Sequence, residues 1–228
     1  MNKSPDAPPA AAAAMPALPP PLAAVVEAPT PGGKRERTQG QLVQAAFKVF
    51  GTRGVAAATI QEVAQVAGMT PGTVYNHFST KEALIERVAL TLAETLCRAI
   101  ADSHAHVADG AERMAIGQRR YIWLAAQSPA WALLLLDVAR ASPHLAQLVE
   151  KYPLADLRLG VKQKAFKVPS EAAALDAISG ICTAAMLRVA LGQAPRNHDV
   201  AAATLVLRAL GMPPEAAAEV AKRPLPAL

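Results

Sequence analysis

The stretch Thr70-Pro71-Gly72-Thr73-Val74-Tyr75-Asn76-His77-Phe78 gathers two hydroxyls, a phenol, a carboxamide and an imidazole beside only two large hydrocarbon side chains. Hydroxyl, phenol and imidazole groups donate to phosphate oxygens, and a carboxamide can read an adenine edge in the major groove. At about 100° per residue, Val74 and Phe78 fall on one side of a helix, while Gly72, Thr73, Tyr75 and Asn76 spread over the rest. The apolar pair is therefore expected to pack inward and leave the polar set for a nucleic acid. Gly72 lets backbone approach closely at the leading turn, where free N–H groups and the helix dipole suit an anion. Thr59 and Lys81 open the flanking helices and are placed to clamp phosphates on either side. The expected contact set is Thr59, Thr70, Pro71, Gly72, Thr73, Tyr75, Asn76, His77 and Lys81.

Those residues need a scaffold, and the preceding sequence supplies one. Leu42, Val43, Ala45, Ala46, Phe47, Val49 and Phe50 recur at helical spacing, and Gly51 and Gly54 end the run. Thr59 followed three residues later by Glu62 is a capping box, after which Ile60, Val63, Ala64 and Ala67 line one face. Gly68 ends this second helix. Thr70 as N-cap and Pro71 at the first helical position, where a missing N–H costs nothing, start a third within about four residues. Helix, short turn and helix over Thr59 to Phe78 is the geometry with which a second helix enters a groove about 12 Å wide. Ser79-Thr80-Lys81-Glu82 opens a fourth helix, with Leu84, Val88, Ala89, Leu92, Leu96 and Ile100 on a face long enough to join two bodies.

Bulk properties agree with a helical, nucleic-acid-facing chain. Of 228 residues 52% are hydrophobic and 4% aromatic, a balance of small aliphatics that favours an all-α fold. From Lys34 to Glu82 there are six basic residues (Lys34, Arg35, Arg37, Lys48, Arg53, Lys81) against Glu36, Glu62 and Glu82. Beyond Glu82 the count is 16 basic against 13 acidic over 146 residues, so positive charge is densest in the first segment. Residues 1–33 hold nine prolines and read as a disordered Pro/Ala-rich arm. Lys34, Arg35 and Arg37 could follow DNA into the minor groove, although a solvated leader is the simpler expectation. Residues 34–82 read as the DNA-binding domain, 83–212 as a helical ligand-binding and dimerisation body, and 213–228 as a fraying tail. Prolines 129, 143, 153, 169 and 195 divide that body into helices.

Cys97 and Cys182 make neither a metal spacing nor a disulfide framework, which points to buried packing and a cytoplasmic setting. His104 and His106, two apart on a helix, diverge and are expected as exposed helix-end residues; no metal or cofactor is expected. No run of about 18 apolar residues proposes a membrane span, and no nucleophile elbow, carboxylate pair or Walker loop proposes an enzyme. Met114, Tyr121, Trp123, Trp131, Phe166 and Met186 are candidates for lining a ligand pocket. Arg119, Arg120 and Arg140 would suit an acidic ligand group or a solvated face. A helical carrier or enzyme with a vestigial head, and a DNA binder without effector, remain alternatives.

The stretch Gln44 to Leu84 resembles the DNA-binding head of the TetR family of bacterial regulators. The likeness is carried by Gly68, Gly72, Thr73, Tyr75, His77, Phe78, Lys81 and Glu82. It implies a nine-helix, Ω-shaped homodimer in which the last two long helices of each subunit form a four-helix bundle. It further implies double-stranded operator DNA as partner, a small-molecule effector in a pocket bounded by helices four to seven, and action as a ligand-responsive repressor.

Overall fold

The computed structural model describes residues 32–228, with Leu18, Ala23 and Ala28 as single positions before them. The arm expected over residues 1–33 lies, apart from these positions and Gly32 and Gly33, outside the described residues. Among the described residues there are ten helices and no strand: α1 Lys34–Arg53, α2 Ile60–Ala67, α3 Pro71–His77, α4 Lys81–Ser103, α5 Gly110–Gln127, α6 Pro129–Ala141, α7 Pro143–Lys162, α8 Glu171–Ala190, α9 His198–Ala209 and α10 Pro214–Lys222. The chain divides into two compact units, with the boundary inside α4 between Ile85 and Glu86.

The first unit is built by caps and a small aliphatic core. α1 buries Leu42, Val43, Ala45, Ala46, Phe47, Val49 and Phe50, the expected stripe, and Gly54 closes it with its N–H on the Phe50 carbonyl. α2 starts on a complete capping box: the Glu62 N–H donates to Thr59 Oγ1, while the Thr59 N–H donates to the Glu62 carboxylate at 2.9 Å. It stops at Gly68, whose φ of 67° lies in the left-handed region that only glycine adopts cheaply. Gly68, Met69 and Thr70 then connect to α3, where Thr70 accepts from the Thr73 N–H and Pro71 takes the first helical position.

The second unit packs α5 against α7, α8 and α9, with α10 laid across α9 and α5. Its main core joins Met114, Leu157, Phe166, Ile178, Val206 and Leu210, among others. Two expectations change here. Residues 213–228 are not a fraying tail, because α10 buries Ala217, Val220 and Ala221 in this core. Arg223 then ties the end down through Asp109 and Glu112. Pro153 does not separate two helices but sits inside α7. Its lack of an N–H leaves the carbonyl four residues back, that of Val149, without its helical donor. By length and composition α8 is apolar enough to cross a membrane, yet Asp176 interrupts it and its inner face, including Leu175, Ile178 and Met186, is core.

The α5 start and α7 end approach at backbone distance. A Cβ on Gly110 would lie 2.6 Å from the Gly160 nitrogen, and one on Gly160 would lie 2.2 Å from the Phe166 ring. Gln163 locks the crossing by accepting from the Gly110 N–H at 2.8 Å and donating to the Ala108 carbonyl at 2.6 Å. Gly117, in the middle of α5, has no atom within 4 Å of a would-be Cβ. The two glycines therefore predict opposite signs. Gly110→Ala should lower stability by about 1–3 kcal/mol through overpacking, whereas Gly117→Ala should be neutral or add up to about 1 kcal/mol of helix propensity. Urea unfolding of the two variants checks the contrast.

Candidate functional site

α3 presents a sorted surface. Val74 and Phe78 are 0% and 4% exposed, so both point inward, while Tyr75 is 51% exposed. Pro71, Gly72 and Asn76 are also exposed, and Thr73 and His77 are half-buried. Helix formation thus brings a phenol, a carboxamide and an imidazole onto one open face. The hydroxyls are less free than the sequence suggests. Thr70 Oγ1 accepts from the Thr73 N–H and lies 3.0 Å from Thr73 Oγ1. Thr59 Oγ1 accepts from the Glu62 N–H and donates to its carboxylate at 3.0 Å. That pair, with Arg53 at 2.8 Å, holds the Glu62 carboxyl below its ordinary pKa, the Thr59 backbone bond contributing most. Lys81 Nζ donates to the Ala56 carbonyl at 3.1 Å, which fixes the ammonium beside the start of α2 and leaves two donors. Lys34, Arg35 and Arg37 are exposed in the first turn of α1, and Arg37 donates to the Gly32 carbonyl.

The second unit holds a cavity of about 790 Å3, in the range that encloses a drug-sized molecule. Its walls come from α4, α5, α6, α7 and α8. On α5 the lining positions are Arg113, Met114, Gly117, Gln118 and Tyr121, of which Met114, Gly117, Gln118 and Tyr121 recur three and four apart on one face. Of the six sequence candidates, Met114, Tyr121 and Met186 line the cavity. The other three do not, for three different reasons. Trp131 is 2% exposed and filled in by core. Phe166 turns back onto Gly160 of the helix before it. Trp123 stacks under Arg120, 5.6 Å from its guanidinium.

Polar groups punctuate this mostly hydrocarbon wall. Tyr121 Oη lies 2.7 Å from Cys97 Sγ. Burial pushes the Cys97 thiol up to about 11, the Cys182 thiol to about 12 and the Tyr121 phenol well above its usual range. Burial thus disfavours both thiolates near neutral pH, and Cys182 packs with Ala185 and Met186 in a small apolar cluster. Arg113 Nε donates to Asp156 Oδ1 at 2.7 Å, and His104 Nε2 stands 3.7 Å from Asp156 Oδ2. His104 is 2% exposed, which corrects the expectation of an exposed helix-end residue; His106 is exposed as expected. Among the described residues no cluster of three or more possible metal ligands occurs. Arg119 is engaged with Asp199 and the Arg223 carbonyl, Arg120 with the Pro226 carbonyl, and Arg140 is 80% exposed beside Asp137. Cys97, His104, Gly117, Gln118 and Asp156 were not singled out in the sequence as cavity residues. Only the shared face of Met114, Gly117, Gln118 and Tyr121 could have signalled them.

A helix-turn-helix with an exposed polar recognition face, carried in one chain with an internal cavity, defines the class of one-component DNA-binding regulators. Comparison with known proteins gives the family. Residues 42–88 match the model of bacterial regulatory proteins of the tetR family, and residues 109–223 match the tetracyclin repressor-like C-terminal domain. The probable HTH-type transcriptional regulator ArpR of Pseudomonas putida is 30% identical over 176 residues, 75% of each chain. The HTH-type transcriptional repressor KstR2 of Mycolicibacterium smegmatis is 40% identical over 48 residues, 21% of this chain and 23% of that one. The crystal structure of RolR in complex with resorcinol superposes with a TM-score of 0.75 at 27% identity, covering 85% of this chain and 97% of that chain. The chain belongs to the TetR family of bacterial transcriptional regulators.

The buried imidazole makes stability depend on pH. Burial lowers the His104 pKa below 6.5, with Arg113 and His106 adding to the lowering and Asp156 opposing it. The unfolded chain takes up a proton near pH 6.5 that the native fold resists. Stability should therefore decline as pH falls through about 6.5 and level off only where the native imidazole is itself protonated. Urea midpoints at about pH 7.5 and 5.5 should separate in the native sequence and converge in His104→Gln; an unchanged separation in that variant contradicts the assignment.

Proposed function

We propose that this regulator is a ligand-responsive repressor that binds a palindromic operator as a homodimer and is released by a small, largely apolar effector. The observation that carries the reading is the pairing, in one chain, of an exposed polar α3 face with a partly open, mainly hydrocarbon cavity of about 790 Å3. Relatives support it by name: KstR2 is described as a repressor, and RolR was crystallised with resorcinol, an uncharged small molecule. Tyr75, Asn76, Gly72 and Thr73 are assigned to the groove. Pro71, His77 and Lys81 are assigned to the adjacent backbone, with Thr59 and Thr70 contributing chiefly as caps that fix helix starts.

Dimerisation is assigned to α8 and α9. Ala173, Ala177, Gly180, Ala184 and Leu187 of α8 and its C-cap Leu191 follow one another at intervals of four and three along a partly open face, the spacing of a helix–helix seam. Leu187, Leu191 and, on α9, Leu205 are 44%, 51% and 53% exposed, and nothing lies within 4 Å of a Cβ built on Gly180. Small residues there permit a second copy to approach closely. Two symmetric heads roughly 34–36 Å apart would reach successive major grooves, and an effector that alters that separation weakens binding. A coupling of about 1–3 kcal/mol shifts operator affinity by roughly 5 to 150-fold, and by linkage operator weakens effector binding equally.

Selection of bound sequences from a random duplex pool should yield a discrete inverted repeat. On that sequence Tyr75→Ala and Lys81→Ala should each cost about tenfold or more in affinity at fixed salt while the protein stays folded. Full binding by both variants would count against the DNA face. The double variant Leu187→Asp, Leu205→Asp should run as a folded monomer in light scattering and lose operator binding. A persistent dimer would place the interface elsewhere.

A further inference from the structure

The cavity wall carries matched charge: Arg113, Arg140 and Lys151 against Glu150, Asp156 and Asp176. The buried members are already committed to each other, with Arg113 Nε on Asp156 Oδ1 at 2.7 Å and Asp156 only 6% exposed. Arg140 is 80% exposed and pairs with Asp137. A carboxylate or phosphate entering here would meet no buried cation free to receive it, and an ammonium would meet a carboxylate already neutralised. Either ion would lose its hydration without replacement.

The same wall holds polar atoms whose hydrogen bonds are unmade. Gln118 is 4% exposed and its Oε1 has no partner. The second oxygen of Asp156 stands 3.7 Å from His104 Nε2, beyond hydrogen-bond distance. These are chiefly acceptors, and a buried acceptor left without a donor is costly until something supplies one.

We propose that the cavity selects an uncharged, predominantly apolar compound bearing a hydroxyl group, read by the Gln118 carboxamide and the free edge of the Asp156 carboxylate. This deepens, and rests on, the reading of the cavity as the effector site. A hydroxyl donates to either carbonyl-type oxygen and also accepts from a carboxamide N–H, so it fits Gln118 in both orientations of its amide. An ether of the same frame cannot donate and leaves both acceptors unmade. Cavity size admits a frame of two or more rings.

The test titrates the full chain calorimetrically with three matched probes: 4-phenylphenol, 4-methoxybiphenyl and biphenyl-4-carboxylate. The phenol is expected to bind about tenfold tighter than the ether, and the carboxylate weakest. In Gln118→Leu the advantage of phenol over ether should shrink to about twofold with ether affinity retained, and in Gly117→Leu, which fills the cavity, both should be lost. Circular dichroism and the melting midpoint report whether each variant is folded. Should Gln118→Leu not fold, Gln118→Met and Asp156→Asn carry the same comparison.

Equal binding of phenol and ether, a preferred carboxylate, no binding of any probe up to about 1 mM, or a full phenol advantage in folded Gln118 variants would each overturn the proposal. Release of the selected operator is read separately by fluorescence anisotropy. A phenol that binds with the expected preference yet leaves the operator complex intact removes the effector reading and keeps the hydroxyl site. Release by the ether and not the phenol removes the hydroxyl site and keeps the effector reading.

Discussion

Burial of Val74 and Phe78 is the constraint on which the DNA-facing surface depends. A helix of seven residues is far too short to persist alone, because nucleation spends several dihedral angles before propagation returns anything. α3 exists because two side chains, 0% and 4% exposed, anchor it to the first unit. Each contributes roughly 1.5–3 kcal/mol of hydrophobic burial. Thr70 and Pro71 then set where the helix begins, and Gly68 sets the turn that delivers it. With the inner face committed to packing, Tyr75 and Asn76 face solvent as a geometric consequence. Residue type is free to vary there without loss of the fold, and so recognition can be tuned on a fixed frame.

The second unit obeys the opposite logic, because its packing is incomplete around a cavity. At the crossing of α5 and α7 its interior closes at backbone distance, with Gly110 and Gly160 where no methyl group fits. Around α5 the same economy is suspended. Gly117 faces space and Gln118 leaves a buried carbonyl oxygen without a partner. Void and unsatisfied polar atom both cost stability in an empty protein. Their occurrence together on one helical face is what distinguishes a binding cavity from a packing defect. The fold carries that deficit because α9, its C-cap Leu210 and α10 pack on α5 through a hydrocarbon core that includes Val206, Leu207, Leu210 and Ala217.

Much of the first unit was legible in the sequence because its signals are local. A capping box, a glycine stop, a proline at the first helical position and an i, i+4 apolar pair each act within a few residues. The structure places all four where the spacing put them. The second unit was legible in its helices and not in its inside. Helical periodicity identifies an apolar face but does not say whether that face meets another side chain or a void. Trp131, Phe166 and Trp123 are large and apolar, yet core packing, a return onto Gly160 and a stack on Arg120 claim them. Gln118 and Asp156 carry no sequence signal of the cavity, because burial of polar groups is fixed by long-range packing. α10 was missed for a related reason: its prolines read as a broken tail, whereas Pro214 occupies the first helical position and tolerates the missing N–H.

α4 shows how an apolar cavity could govern a polar surface within one chain. Leu84, Val88, Leu92, Leu96 and Ile100 form a continuous inner face, each at most 4% exposed, over nearly five turns. Ala93, Cys97 and Ile100 stand on the cavity wall, and Lys81 at the other end of the same helix is fixed to the Ala56 carbonyl. A helix packed this closely is bistable more readily than it is bendable, since interiors at crystal-like density shift by repacking and not by gradual strain. A polar tie joins it to the cavity wall besides the Cys97–Tyr121 contact: Ser142, the N-cap of the cavity-lining α7, donates to Glu86 at 2.5 Å. A ligand that displaces α7 must stretch this bond or carry α4 with it. Under the proposed regulation the coupling needs only about 1–3 kcal/mol. That is the scale of one charge-assisted hydrogen bond, so a single contact such as Ser142–Glu86 is of the size such a coupling requires.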